Sequence, residues 1–274
     1  LRADLKDLDL ALLSVFGDGA RFLGRVSGRV EATGRLDRTL AFSAALEHAI
    51  DGESPSVFRA AGSIGGVGRT PTIDVELDAQ ALILDEVARS YPALDGLTGV
   101  IAGPVKVSGP LSDLAVHADL TVPEGQLVVE GRADLTGSDP RYRLAGEARE
   151  VRLEHLIAGV PGETLVSGGF VIEGAGVGPE TAQATLHLDL GRGSFAAHDV
   201  RGGSGHLSVR DGVLHVDSLV VRTEAGLITA KGDLGLVEGR RGTLELRANA
   251  AALETLQPIF FPDAPFAMAA DTGR

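Results

Sequence analysis

Strict alternation of apolar and polar residues is the feature that most constrains this chain. Between residues 72 and 81 every second residue is apolar, and acidic residues, Thr or Gln stand between them. A period of two places successive side chains on opposite faces of a β-strand, whereas an amphipathic helix repeats every three to four residues. The alternation recurs at residues 114–122, 127–135, 184–190, 207–209, 214–216, 219–221 and 244–246. The sequence therefore predicts a mainly β chain whose strands have one apolar and one polar face.

Helical spacing is confined to four short patches. Apolar residues three and four apart occur around residues 5–16, 84–91, 153–157 and 253–260, and none of these patches is long enough for more than about three turns. Asp211-Gly212 separates two alternating runs and predicts a hairpin turn. Helices this short cannot cover a large sheet, so the apolar face must curl on itself, pack against a second sheet, or leave a groove.

Two sequence markers recur and predict an internal repeat. The first is Ala, four residues, Leu and an acidic residue, and it begins at Ala3, Ala79, Ala148 and Ala248. The second is a pair of glycines six residues apart, where we expect a glycine turn to lead into a strand. The pairs are Gly28 and Gly34, Gly103 and Gly109, and Gly168 and Gly174. We therefore predict that residues 1–274 are a single continuous repetitive β region and a fragment of a longer chain.

Charge and cysteine content exclude several classes of function. The chain has 38 Asp and Glu against 25 Lys and Arg, which gives a formal net charge of -13. This charge repels phosphate backbones, so no nucleic-acid partner is expected. The chain has no cysteine, which removes disulfides, thiolate metal sites and cysteine nucleophiles.

Motifs for catalysis are weak in this sequence. His206, His215 and Asp217 could approach one another across the predicted hairpin, but polar-face histidines are ordinarily solvated, so no metal is predicted. Ser204 lies among glycines, yet His206 stands where a nucleophile elbow requires glycine. The glycine clusters are not followed by Gly-Lys-Ser/Thr, so no nucleotide cofactor is predicted. We predict that the protein is not an enzyme; a hydrolase on a β scaffold stays open as a hypothesis that requires a pocket of convergent polar side chains.

Taken together, these patterns resemble the AsmA-like superfamily, and especially its TamB-like members. The resemblance is carried by the paired glycines, the alternating runs after them, the short helices with Leu and an acidic residue, and the segments 107–122 and 212–232. It spans essentially the whole chain but includes no fixed chemical residue. The resemblance implies an elongated, curved, repetitive antiparallel sheet folded into a trough with an apolar interior and a few short helices.

The resemblance also implies a function and a location. Proteins of this type are bridge-like, lie in the periplasm of Gram-negative bacteria, and are tethered to the inner membrane, here by a segment outside the sequence. They move phospholipid between the inner and outer membranes, support outer-membrane biogenesis, and work with an outer-membrane β-barrel protein of the Omp85 type. The expected ligand is therefore the acyl chains of phospholipid.

Acyl chains in such a trough would lie along the apolar residues of the alternating runs. The expected lining residues are Val105, Val107, Leu114, Val116, Leu120, Val122, Leu186, Leu188, Leu207, Val209, Leu214, Val216 and Val221. The alternative is a structural or adhesive β-solenoid or β-sandwich array, in which the same residues pack into a closed core. An interior without covering side chains favours the groove, and a filled interior favours the array.

Overall fold

The computed structural model describes residues 1–10, 23–35, 38–50, 55–66, 71–90, 96–137, 139–178, 180–196, 198–224, 226–237 and 239–250. These residues form one antiparallel sheet of sixteen strands. The strands are β1 (Arg2–Asp9), β2 (Arg25–Gly34), β3 (Thr39–Ala49), β4 (Ser56–Gly65), β5 (Thr72–Ile83), β6 (Val100–Pro110), β7 (Leu114–Val122), β8 (Gly125–Asp134), β9 (Arg141–Arg152), β10 (Leu165–Ala175), β11 (Gln183–Leu190), β12 (Gly193–Phe195), β13 (His198–Arg210), β14 (Val213–Thr223), β15 (Gly226–Gly235) and β16 (Leu244–Ala250).

The order of the strands in the sheet follows the order of the chain. Each strand pairs with the strand before and the strand after it, except that the short β12 pairs with β13 while β11 also pairs directly with β13. Among the described residues β1 and β16 are the outermost strands, and the sheet is not closed into a barrel. The predicted fold class, a mainly β chain with one long open antiparallel sheet, is confirmed.

The period-two pattern determines which side chains share a face. In β5, Ile73 and Leu77 are half-buried while the acidic residues between them are exposed. Residue size does not explain the difference, because in β3 Ala44 is half-buried while Ala41 and Ala45, which point the other way, are exposed. One face of the sheet is therefore sheltered and apolar, and the other is exposed and polar.

The turn between β13 and β14 is the hairpin that the sequence predicts. Asp211 and Gly212 have φ values of 53° and 73°, and a type I′ turn requires positive φ at both central residues. This turn sets the register in which Val209 lies opposite Leu214. The prediction of a two-residue hairpin is confirmed.

β-Bulges explain why one predicted helix is wrong. Leu5 and Leu8 belong to β1, and they lie opposite Gly28 and Val26 of β2 across a register shift. The shift inserts one extra residue, so two apolar side chains three apart in sequence both reach the same face. That spacing imitates the period of a helix. Residues 11–16 of this predicted helix lie outside the described residues.

The other helical patches have mixed outcomes. The α-helix α1 spans Leu84–Ser90 and confirms the second patch over the described residues. The third patch forms only a 3-10 helix at Leu153–His155, so Leu156 lies just beyond it. The fourth patch, with the last repeat marker from Leu253 onward, lies outside the described residues. No helix in the described part of the chain is long and apolar enough to cross a membrane.

The repeat has a structural basis, although its first marker is displaced. Gly28, Gly103 and Gly168 lie opposite Leu5, Ala79 and Ala148, so Leu5 rather than Ala3 corresponds to the later anchors. A register shift follows each of these pairs. In the second unit a register shift also moves Ala81 off the sheltered face. Ala79 lies opposite Phe58, which is on that face, whereas Ala81 lies opposite Val57, which is on the other face. The repeated device is a strand that ends in a bulge.

The paired glycines lie inside strands and not at their entrances, which corrects the predicted glycine turn. Gly103 is the fourth residue of β6 and has φ 130°. A Cβ added there would lie 2.2 Å from the carbonyl oxygen of Asp119 in the neighbouring strand. Only glycine tolerates that approach at this φ, and glycine inside a strand commonly marks a local bend.

Candidate functional site: the apolar face of the sheet

All thirteen residues predicted to line a groove lie on one face of the sheet. Val107 lies opposite Val116, and Leu186 lies opposite Leu207, which in turn lies opposite Val216. The other eight are on the same face of β6, β7, β11, β13 and β14. We call this surface the apolar face. The structure thus brings the predicted residues together in space, while their role in lipid binding stays a prediction.

Apolar residues and glycine form unbroken rows across the strands. In the central row each residue is the register partner of the next or lies directly beside it. This row consists of Ala3, Val30, Ala44, Ala60, Leu77, Val105, Ala118, Val129, Gly146, Phe170, Leu188, Gly205, Leu219, Ala230 and Leu246. No polar residue interrupts it. At about 4.8 Å between neighbouring strands, the row follows the sheet for about 65 Å.

The sequence-based prediction missed the middle of this face. Leu144, Phe170 and Ile172 belong to it, because Leu144 lies opposite Ile172 and Phe170 lies opposite Leu188. Glycines break the apolar alternation in β9 and β10, which concealed their parity. The signal that could have found these residues was the position of Phe170 within the predicted strand after Gly168.

Neighbouring side chains fill the gaps that glycines leave in the face. A Cβ added to Gly146 would lie 2.4 Å from the Phe170 ring, so the ring covers the bare backbone at this position. The leucines at 188, 207 and 219 converge in the same way around Gly205, each within 3.4 Å of the position of an added Cβ. The central part of the face is therefore a continuous carbon surface.

No second layer covers the apolar face within the described residues. All sixteen described strands belong to one sheet, and the described helices, α1 and the 3-10 helix, are short. Most apolar-face side chains are accordingly half-buried rather than buried, and Leu246 in the last strand is 42% exposed. Side chains in a sandwich core would be almost entirely excluded from water. The described part of the chain therefore presents partly exposed apolar side chains on one face of the whole sheet.

The two long sides of the sheet differ. On the hairpin side, short turns join β2 to β3, β6 to β7 and β13 to β14. On the other side, which we call the capped side, α1 and the 3-10 helix follow β5 and β9. A small core lies there, in which Val122, Val151 and Leu156 are buried and Leu84 and Ile101 pack against them. The capped side is thus covered where these short helices lie, after β5 and after β9.

The acidic residues of the repeat marker fasten the capped side. Asp85 accepts a hydrogen bond from the N–H of Gly99, and Glu154 accepts hydrogen bonds from the N–H groups of Glu163 and Thr164 at 2.9 and 3.2 Å. Burial acts to raise the pKa of the Glu154 carboxyl, but these backbone hydrogen bonds and Arg152 outweigh it and hold the pKa below its usual value. Each carboxylate ties a short helix to the segment that leads into the next strand.

A buried polar cluster beneath α1 has the residue types of a catalytic triad but not its arrangement. Ser56 donates to Glu86 Oε2 at 2.7 Å, and His48 Nδ1 lies 3.0 Å from the same oxygen. In a triad the histidine lies between the hydroxyl and the acid; here Glu86 lies between them, and His48 Nε2 is directed at the Leu23 carbonyl oxygen. Ser56 and Glu86 are only 1% and 2% exposed. This cluster attaches α1 to the sheet and cannot present a nucleophile to a substrate.

The histidines of the polar face do not assemble a metal site. The rings of His187 and His206 meet edge to face with centroids 4.4 Å apart, and His215 Nδ1 lies 2.6 Å from Asp233 Oδ1. Among the described residues no three His, Asp or Glu side chains are grouped as metal ligands. These three polar-face histidines therefore pair with each other or with an acid.

Two shallow hollows lie away from the apolar face. One is on the polar face around Ser43 and Ala61, and the other lies among the hairpin turns around Asp134 and Glu180. Asp134 accepts hydrogen bonds from the hydroxyl and the N–H of Thr136, which lower the pKa of its carboxyl. Because this carboxylate stabilises its own turn, it does not supply the convergent reactive groups that a hydrolase needs.

Comparison with protein-family models, with curated proteins and with solved structures gives no match for this chain.

Proposed function

We propose that this chain is a lipid-binding segment of a bridge-like protein, and that its apolar face conducts the acyl chains of phospholipid. The observation that carries the proposal is the unbroken row of apolar residues and glycine across the whole sheet, with no covering layer in the described residues. Because the row runs across the strands, each successive strand presents an apolar residue or glycine to a ligand. A ligand without directional hydrogen bonds can therefore move along it without crossing a polar barrier.

The magnitudes favour an alkyl ligand. Transfer of a methylene group from water to an apolar surface is favourable by about 0.8 kcal/mol when it is fully buried. Acyl chains on an open face gain a fraction of this at each carbon, but many carbons contribute. Binding of this kind needs no specific headgroup contact.

The wider setting is proposed from the AsmA-like and TamB-like resemblance. In that setting the chain lies in the periplasm of a Gram-negative bacterium and is tethered to the inner membrane by a segment outside this sequence. It moves phospholipid between the inner and outer membranes, supports outer-membrane biogenesis, and works with an outer-membrane β-barrel protein of the Omp85 type. The carbon surface of the sheet is compatible with this role.

The alternative is a structural array in which the apolar face packs against another protein layer. Site-specific photocrosslinking distinguishes the two. A photoreactive phenylalanine analogue is placed at Leu188, at the centre of the apolar face, and separately at His187, its neighbour in β11 on the polar face. The protein is irradiated in Gram-negative cells, purified, and analysed by intact mass spectrometry.

The proposal predicts phospholipid adducts at position 188 and none at position 187. The two variants differ only in the face that the probe occupies, so position 187 controls for abundance and membrane proximity. Crosslinks from position 188 to protein alone would support the structural array. Equal lipid adducts at both positions would mean that lipid contacts the chain without using the apolar face.

A further inference from the structure

Two hairpins on the hairpin side of the sheet form a single surface that the proposed function does not yet explain. We call it the hairpin lip, and it comprises residues 210–213 of the β13–β14 turn and residues 234–237 and 239–243 of the β15–β16 connection. The N–H of Leu236 donates to the carbonyl oxygen of Gly212 at 2.9 Å. The Val237 side chain also approaches Gly212, since an added Cβ would lie 2.6 Å from it. The two hairpins are therefore held together.

The apolar face continues onto this lip. Leu214 of β14 lies opposite both Val209 and Leu234, so Leu234 belongs to the face. Leu234 and Leu236 are nonetheless 40% and 43% exposed. Within the described residues, no short helix like those of the capped side covers these two leucines. An alkyl chain lying on the face would leave it here in contact with carbon up to the rim.

The hairpin lip carries exposed arginines as well as exposed leucines. Arg210, Arg240 and Arg241 are exposed and make no ion pair with another described residue. In sequence, residues 210–213 and 234–243 include these three arginines and two acids, although acids outnumber basic residues 38 to 25 in the whole chain. Exposed arginines that make no ion pair with described residues also lie at the capped side. The lip differs from them because its three arginines belong to two turns that are held together beside exposed leucines.

We infer that the hairpin lip holds the anionic headgroup of a phospholipid whose acyl chains lie on the apolar face, an inference that rests on the proposed function. The guanidinium groups supply paired N–H donors for phosphate oxygens. The lipid lies with its tails toward the capped side and its headgroup at the hairpin side. The lip therefore favours anionic over zwitterionic phospholipid at this end of the sheet.

The test compares two lipids that differ in headgroup charge. The purified chain is incubated with vesicles containing equal amounts of phosphatidylglycerol and phosphatidylcholine with identical acyl chains. It is then separated from the vesicles, and its bound lipids are quantified by mass spectrometry. A basic residue near an anionic lipid surface contributes about 1 kcal/mol, or about fivefold, so at least fivefold enrichment of phosphatidylglycerol is expected. The enrichment is expected to fall at about 1 M salt, where the screening length is about 3 Å.

The matched variants change charge equally at the two sides of the sheet. The lip variant carries Arg210→Glu, Arg240→Glu and Arg241→Glu. The control carries three changes at exposed arginines of the capped side that also make no ion pair with described residues: Arg25→Glu, Arg192→Glu and Arg222→Glu. The lip variant is expected to bind no more phosphatidylglycerol than phosphatidylcholine, because the three glutamates repel the anionic headgroup, and the control is expected to keep the enrichment.

Either of two results would overturn the inference. In the first, the parent chain binds the two lipids in the ratio in which the vesicles contain them. In the second, the lip variant and the control lose the phosphatidylglycerol enrichment to the same extent. In these cases the proposed function stands, because lipid is still bound. No lipid on the parent chain would refute the proposed function together with the inference. If the lip variant does not fold, Arg240→Gln with Arg241→Gln, both in the loop, is expected to lose part of the enrichment; unchanged enrichment would count against the inference.

Discussion

An aspartate introduced on an open apolar face should be tolerated, whereas the same change in a closed core should not. The test residue is Leu188, which is half-buried at the centre of the face. Full burial of a leucine side chain is favourable by about 1.5–3 kcal/mol, so replacing the partly buried Leu188 loses about 1–2 kcal/mol. The lower strand preference of Asp adds up to about 1 kcal/mol. A total loss of about 1–3 kcal/mol leaves a domain of ordinary stability, about 5–15 kcal/mol, folded.

The comparison is Leu114→Asp on the same face. Leu114 is 2% exposed, so its carboxylate would be buried without a partner, which costs several kcal/mol more than the change at an open position. His187→Asp in the same strand as Leu188 controls for the strand preference of Asp on the polar face. Unfolding in guanidinium chloride, followed by far-ultraviolet circular dichroism, measures all three. If Leu188→Asp is as damaging as Leu114→Asp, the face is covered and the reasoning above is wrong.

Three further predictions concern the fasteners of the sheet. Glu154→Gln should lower the free energy of unfolding by about 1–3 kcal/mol at neutral pH, because charged hydrogen bonds to two backbone N–H groups are weakened. Since the pKa of Glu154 is lowered in the folded protein, the difference between variant and parent is complete above the unfolded pKa of about 4.3 and disappears as pH falls through the folded pKa. Urea unfolding between pH 3 and 7 measures this difference. Ser56→Ala should cost about 1–3 kcal/mol in the same assay, because Glu86 loses a donor in a buried site; a neutral result would mean that water replaces the hydroxyl. Gly212→Ala should lower the melting temperature, since φ is 73° and the added Cβ meets Val237; an unchanged melting temperature would mean that the turn is not type I′.

The strands could be predicted because their signal is local. Alternation in β5, β7 and β11 fixes which side chains share a face, and Asp211-Gly212 fixes one register directly. Once these elements are antiparallel neighbours, residues as distant in sequence as Val107 and Leu207 fall on one surface. The apolar face was therefore predictable without any knowledge of the connections.

The bulges and the glycine-rich strands could not be predicted, because the same sequence pattern is compatible with more than one local structure. Leu5 and Leu8 have helical spacing only because the chain inserts a residue in the bulge between them, where Asp7 has φ 47° and its N–H donates to Ser27 Oγ. That partner is twenty residues away, so no local pattern reveals it. Gly146 is concealed for a similar reason, since the Phe170 ring that covers it comes from the next strand.

The same bulge recurs in another unit with the same partner, which shows how a one-layer sheet can hold its shape. Glu150 has φ 53° and donates its N–H to Ser167 Oγ at 2.9 Å, as Asp7 does to Ser27. Each bulge ends a strand on the capped side, where short helices and carboxylates then fasten the chain. Stabilisation is thus concentrated at one side of the sheet and in the ladders between strands, rather than in a second layer. Buried apolar side chains such as Leu114, Val122 and Val216 lie on the apolar face itself. A ligand on that face would therefore contact the half-buried side chains beside this small core and would not replace it.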